Sequence, residues 1–130
     1  MTRHLLDTTV LIAHLRGDVE VTSFILDLVS HGHLPCVSCV TVAEIKRGIR
    51  PKERRAAALL LDRLGFLVTT KEAATRAGQY QAEFSKRGRT IQLADALVAG
   101  TARIHGAILV TDNIADFPIR DLQVMRPGLE

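Results

Sequence analysis

Leu5-Leu6-Asp7-Thr8-Thr9-Val10-Leu11-Ile12 sets one acid between two apolar runs, with a pair of small hydroxyl residues directly behind it. An acid closing so short an apolar run marks where a buried strand meets a loop or helix. In an open α/β sheet, ligands bind outside the carboxyl ends of the strands. Asp7 is therefore read as a site residue that other acids come to meet. Arg3 to Leu6 reads as a first strand, and Thr8 or Thr9 as the cap of a helix running through Leu15 to Gly17.

From there the alternation continues along the chain. Asp18 caps a second helix whose Val21, Phe24, Ile25, Leu28 and Val29 follow the spacing of one helical face. Pro35 to Val40 reads as the second strand. Thr41 caps a helix from Val42 to Ile49, with Glu44 placed as in a capping box. Arg54 to Leu64 reads as a helix with Ala57, Leu60, Leu61 and Leu64 inward and Gly65 as its stop, and Phe66 to Val68 as a third strand. Lys71 to Lys86 forms a helix with Ala73, Ala77, Tyr80 and Phe84 on one stripe, and Gly88 breaks it. Leu93 to His105 forms the next, with Ala94, Leu97, Val98, Thr101 and Ile104 inward. Ala107 to Val110 is a fourth strand, and Leu122 to Met125 a last edge strand. Strands alternating with helices predict an α/β fold, a mostly parallel sheet covered on both faces.

Composition bounds the function. At 130 residues with 47% hydrophobic content, one domain spanning 1–130 is expected, with a core of its own. No Trp and a single Tyr argue against aromatic base-stacking platforms. The longest apolar run, Ala56 to Leu61, is too short to span a membrane, and Asp7 interrupts any signal-peptide core, so a soluble, cytoplasmic protein is expected. Cys36 and Cys39 form a C-x-x-C inside the expected second strand, where residues three apart face opposite ways. No second pair completes a zinc set, and His31 and His33 flank a loop glycine, so these residues read as structural. Net charge is only +3, yet six basic residues (Lys46, Arg47, Arg50, Lys52, Arg54, Arg55) face one acid, Glu53, between positions 46 and 55. Lys86, Arg87 and Arg89 form a second cluster. Such runs read either as solvated helix faces or as phosphate-contacting footprints.

Four places put a carboxylate at an element end: Asp7, Glu44, Asp95, and the pair Asp112 and Asp116. Asp95 lies inside Leu93-Ala94-Asp95-Ala96-Leu97, and a charge in an apolar turn is costly unless paired or ligated. Each acid has a local explanation, as a cap or as a complement to a helix N-terminus. Gathered on one sheet edge they would repel, and a divalent cation is the usual remedy. Hard oxygen donors with few histidines select Mg²⁺ or Mn²⁺ over zinc.

Four segments in order carry a family resemblance over nearly the whole chain. They are Leu6-Asp7-Thr8-Thr9-Val10-Leu11-Ile12, then Val42-Ala43-Glu44-Ile45 with Gly48-Ile49, then Asp95-Ala96-Leu97-Val98-Ala99, and finally Leu109-Val110-Thr111-Asp112-Asn113-Ile114-Ala115-Asp116-Phe117. The chain resembles the PIN-domain ribonucleases, and in size and motif order the VapC toxins of type II toxin–antitoxin pairs. The resemblance implies a PIN-like single domain and an acidic, Mg²⁺-dependent site, with Mn²⁺ as the other candidate ion. Asp7, Glu44, Asp95 and Asp116 match the family's acidic, catalytic positions. Asp7 and Asp95 would be the principal metal ligands, with Glu44, Asp112 and Asp116 as further candidates. Thr9, Thr111 and Asn113 match positions that help hold the site, and Lys46, Arg47 and Arg87 are candidate RNA contacts. Asp112 stands where many relatives carry a basic or small residue, which leaves Asp112, Asn113 and Asp116 as rivals for the last ligand.

The implied chemistry is hydrolysis of an RNA phosphodiester by in-line attack of a water activated at the ion, leaving 5′-phosphate and 3′-hydroxyl ends. The implied partners are an RNA substrate, a VapB-like antitoxin and a second copy of the chain, with helices from Val42 to Leu64 as candidate dimer surface. DNA would be met only through the antitoxin. The alternative is a degenerate PIN-like module that binds RNA or protein without cutting. A haloacid-dehalogenase-like phosphotransferase would need a second acid where Thr9 stands, and a receiver-like domain would need paired acids beside the first strand.

Overall fold

The computed structural model describes residues 1–128. Five strands form one sheet in the order β3-β2-β1-β4-β5, and every neighbouring pair is parallel. They are β1 (Arg3–Leu6), β2 (Leu34–Ser38), β3 (Gly65–Leu67), β4 (Ile108–Val110) and β5 (Val124–Met125). Six helices connect them: α1 (Thr8–Leu15), α2 (Val19–Ser30), α3 (Cys39–Gly48), α4 (Arg54–Arg63), α5 (Lys71–Lys86) and α6 (Leu93–Ile104). The expected α/β fold with a parallel sheet is what the chain adopts.

Adjacent residues of each central strand point into opposite layers. Leu5, Cys36 and Leu109 pack under α5 and α6 together with Tyr80, Phe84, Val98 and Phe117. Leu6, Val37 and Val110 pack under the other layer, against Val10, Leu11, Phe24 and Ile45 of α1, α2 and α3 and Ala57 of α4. A parallel sheet covered on both faces needs continuous apolar strands, which Leu5-Leu6 and Leu109-Val110 supply.

The order 3-2-1-4-5 makes β1 and β4 neighbours from which the sheet winds outward in opposite directions. The crevice beyond their carboxyl ends is the topological switch point. The Asp7 N–H donates to the Val110 carbonyl at 2.9 Å, so the end of β1 is tied to the end of β4 where the first acid begins.

Several boundaries differ from the sequence reading. The second strand ends at Ser38 and α3 starts at Cys39, so Thr41 lies inside the helix, wholly buried, and caps nothing. Glu44 is accordingly not a capping-box acid. Cys39 is exposed at the start of α3 while Cys36 is buried, and both are free thiols. Asp7, not Thr8 or Thr9, is the N-cap of α1. Gly65 opens β3, where an added Cβ would lie 3.0 Å from the Cys36 sulfur, instead of merely stopping α4. Val29 is 57% exposed because Val21, Phe24, Ile25 and Leu28 already fill the inward face of α2. Among the described residues no helix is long and apolar enough to cross a membrane.

The α5–α6 pair that carries Asp95 packs through Gly100. A Cβ at Gly100 would stand 2.3 Å from the Ala73 carbonyl oxygen, a backbone atom that cannot swing aside. Gly100→Ala is therefore expected to destabilise the fold by about 2 kcal/mol, the usual cost of overpacking. Urea unfolding checks this, and an unchanged midpoint would refute the close approach.

Candidate metal centre at the switch point

Asp7 leaves β1 at the sheet edge and enters α1 as its N-cap, which fixes its side chain by three neighbours. Its Oδ1 accepts from the Thr8 N–H at 2.8 Å. Its Oδ2 accepts from the Thr111 hydroxyl at 2.9 Å and, more loosely, from Thr9 at 3.4 Å. Thr111 follows β4 directly, is fully buried, and its Oγ1 also accepts the Asn113 N–H at 3.0 Å. The Asp7 carboxylate is only 6% exposed. Burial pushes its pKa up, hydrogen bonds from Thr111, Thr8 and Thr9 pull it back, and the nearby Glu44 adds to the rise.

Glu44 projects from α3 toward α1, where its Oε1 accepts the Thr8 hydroxyl at 2.6 Å. The sequence marks Thr8 only as a candidate cap of the first helix and gives no sign of this bond. The two residues are far apart along the chain, so only the packing of α1 on α3 brings them together.

Asp95 sits in the first turn of α6 with its pKa pushed up to about 6. Desolvation is the largest cause, followed by repulsion from Asp7, Asp116 and Glu44. The four acids singled out from the sequence are thus electrostatic neighbours. Asp116 ends a short 3-10 turn after β4, and it, not Asp112, acts on Asp95. Asp112 and Asn113 are both exposed.

The donor set is all oxygen, four carboxylates with three threonine hydroxyls behind Asp7 and Glu44, and it contains no imidazole or thiolate. That chemistry fits a hard divalent cation. Among the described residues no three His, Cys, Asp or Glu side chains already close into a ready-made cage.

The basic candidates are not one patch. Lys46 and Arg47 are exposed near the end of α3, in the layer packed against Leu6 and Val37. Arg87 caps the C-terminus of α5, in the layer on the other face of the sheet.

The family model described as PIN domain matches residues 4–118, a span that takes in all four acids. The chain belongs to the PIN-domain family. Ribonuclease VapC10 of Mycobacterium tuberculosis is 36% identical to this PIN-domain chain over 115 residues, covering 88% of the chain and 86% of the relative. Ribonuclease VapC2 of Haemophilus influenzae is 33% identical over 123 residues, covering 90% and 91%. Among solved structures, VapBC-1 from nontypeable Haemophilus influenzae superposes with a TM-score of 0.82 at 26% identity, covering 96% of this chain and 98% of that one. DNA-bound VapBC from Salmonella typhimurium gives 0.82 at 25% identity, with coverages of 97% and 98%. The PIN-domain match leaves the roles of individual side chains to the geometry above.

The mutual repulsion has a sign. Asp95 has its folded pKa raised above 3.8, so between about 4 and about 6 the folded chain binds more protons than the unfolded one. Without divalent ions, stability should therefore fall as pH rises through that window. Asp95→Asn removes the charge and should raise Tm at pH 7 by ~2–5 °C, the scale of about 1 kcal/mol for a domain of this size. Differential scanning calorimetry in chelator checks it, and a lowered Tm would contradict the charge cluster.

Proposed function

We propose that the chain is a divalent-metal-dependent endoribonuclease of the VapC type, hydrolysing RNA phosphodiester bonds at the switch-point carboxylates. The observation that carries this reading is Asp95, pushed up to about 6 by burial and then by repulsion from Asp7, Asp116 and Glu44, which supports four acids sharing one field. Homology to chains named ribonucleases supports the substrate class.

Asp7 and Asp95 are the principal ligands in this reading, because Asp7 is buried and fixed by three donors and Asp95 faces it from α6. Glu44 and Asp116 flank them, holding a second ion or orienting the attacking water. A bound Mg²⁺ or Mn²⁺ would lower the pKa of that water and offset charge building on the phosphoryl oxygens. Water adds to phosphorus, the P–O3′ bond breaks, and the 3′-oxygen leaves with a proton, giving 5′-phosphate and 3′-hydroxyl ends. Thr8 keeps Glu44 from swinging into solvent, and Thr111 and Thr9 keep Asp7 in one rotamer. Asp112, exposed and not among the neighbours of Asp95, is left outside the set, and Asn113 acts through its backbone N–H on Thr111.

As in relatives solved as VapBC assemblies, the partner would be a VapB-like antitoxin in the cytoplasm, and DNA would be met through it. A homodimer is the expected oligomer. The helices between Val42 and Leu64 are a candidate surface for it, with Leu59 half exposed on α4.

Asp7→Asn retains the shape and the hydrogen bond from Thr8 while removing the charge. It is expected to lower Mg²⁺-dependent RNA cleavage by at least ~10³-fold with the fold intact by circular dichroism, in line with losing a principal term of charge stabilisation. Full activity in that variant would sink the assignment. Metal binding by the wild type with no RNA cut would instead favour the non-catalytic module.

A further inference from the structure

A cleft of about 510 Å³ lies between α5 and the segment that follows Asp116, lined by Arg76, Tyr80, Lys86, Arg87, Arg120 and Asp121 among others. That volume lies within the usual range of small-ligand sites. The floor is built, not incidental. The buried Tyr80 hydroxyl donates to Asp121 Oδ1 at 2.9 Å, and Arg76 and Arg103 each reach Asp121 Oδ2 at 3.4 Å. Phe117, Ile119 and Leu122 are buried in the core around this anchor, so Arg120 is carried on a segment fixed on both sides. The Arg87 guanidinium lies 5.6 Å from the centre of the Phe84 ring, which limits its orientation.

The charge left over is positive. Asp121 is already matched by Arg76 and Arg103, whereas among the described residues Lys86, Arg87 and Arg120 form no ion pair, and Glu83 is the other acid lining the cleft. Arg120 stands four residues beyond Asp116, at most about 14 Å along an extended chain, a distance that a short run of nucleotides bridges. A polyanion entering the carboxylate edge meets repulsion, so cations beside that edge are where its backbone would be held. The rings of Tyr80 and Phe84 are buried, so the cleft offers a peptide no exposed aromatic anchor.

We infer that this cleft is a backbone subsite for single-stranded RNA, in which Arg87 and Arg120, with Lys86, hold phosphates flanking the one that is cut. The inference rests on the ribonuclease reading for its substrate class. Binding can be measured without cleavage, so the two can fail separately.

The test uses the full chain in EDTA with a fluorescein-labelled twelve-nucleotide oligouridine, followed by anisotropy across a NaCl series. Arg87→Ala with Arg120→Ala is expected to weaken binding at least ~5-fold and to flatten the log–log salt dependence by about 1.4, the loss of two single-strand phosphate contacts. Glu83→Gln should tighten binding ~2-fold, a gain that misfolding cannot imitate. Unchanged affinity and slope in the double variant, with a wild-type Tm, would overturn the subsite even if the chain cleaves RNA normally. So would a double variant that loses a twelve-residue polyglutamate probe and keeps the RNA. Weakened binding in a chain that cleaves nothing would uphold the cleft and refute the nuclease.

Discussion

The Asp7 carboxylate is taken out of water at the junction of β1 and β4 and left in the field of Glu44 and Asp95. Its hydrogen bonds from Thr8, Thr9 and Thr111 compensate part of the desolvation, but hydroxyls and one amide do not cancel a charge. The consequence appears on Asp95, whose pKa is pushed up to about 6, first by its own burial and then by repulsion from Asp7, Asp116 and Glu44. A fold that tolerates such a cluster carries a local cost in stability at neutral pH, as sites selected for function commonly do.

The rest of the architecture explains how the cluster is assembled. Each acid comes from a different element: the end of β1, the body of α3, the first turn of α6 and the turn after β4. The parallel sheet puts the ends of β1 and β4 side by side, and the two helical layers deliver Glu44 from one face and Asp95 from the other. Gly100 matters at a distance, because the closeness of α5 and α6 sets where the N-terminus of α6 lies.

Much of this was legible in the sequence, for physical reasons that differ by element. Lys71–Lys86 is legible to the residue because one apolar stripe runs its length and Gly88 follows, and the structure adds Thr70 as its cap. Asp7 stood out because a buried run breaks at a charge, and Asp95 because apolar residues surround it. The start of α3 was misplaced because Pro35 to Val40 is uniformly apolar or small, and such a run does not reveal where strand gives way to helix. The Thr8–Glu44 bond and the nearness of Asp116, not Asp112, to Asp95 depend on tertiary packing, so no local pattern encodes them. The cleft beneath Arg120 was equally invisible, since Tyr80 and Asp121 have no periodic relation.

The central claim, that these carboxylates are gathered for a divalent cation, is tested most directly by thermal melting of the metal-free chain as MgCl₂ is added, against NaCl of equal ionic strength. A ligand that binds only the folded state raises stability by about 2.7 kcal/mol at a hundred times its Kd. Tm should rise saturably by several degrees with MgCl₂ and change little with NaCl. Identical responses to the two salts would contradict it.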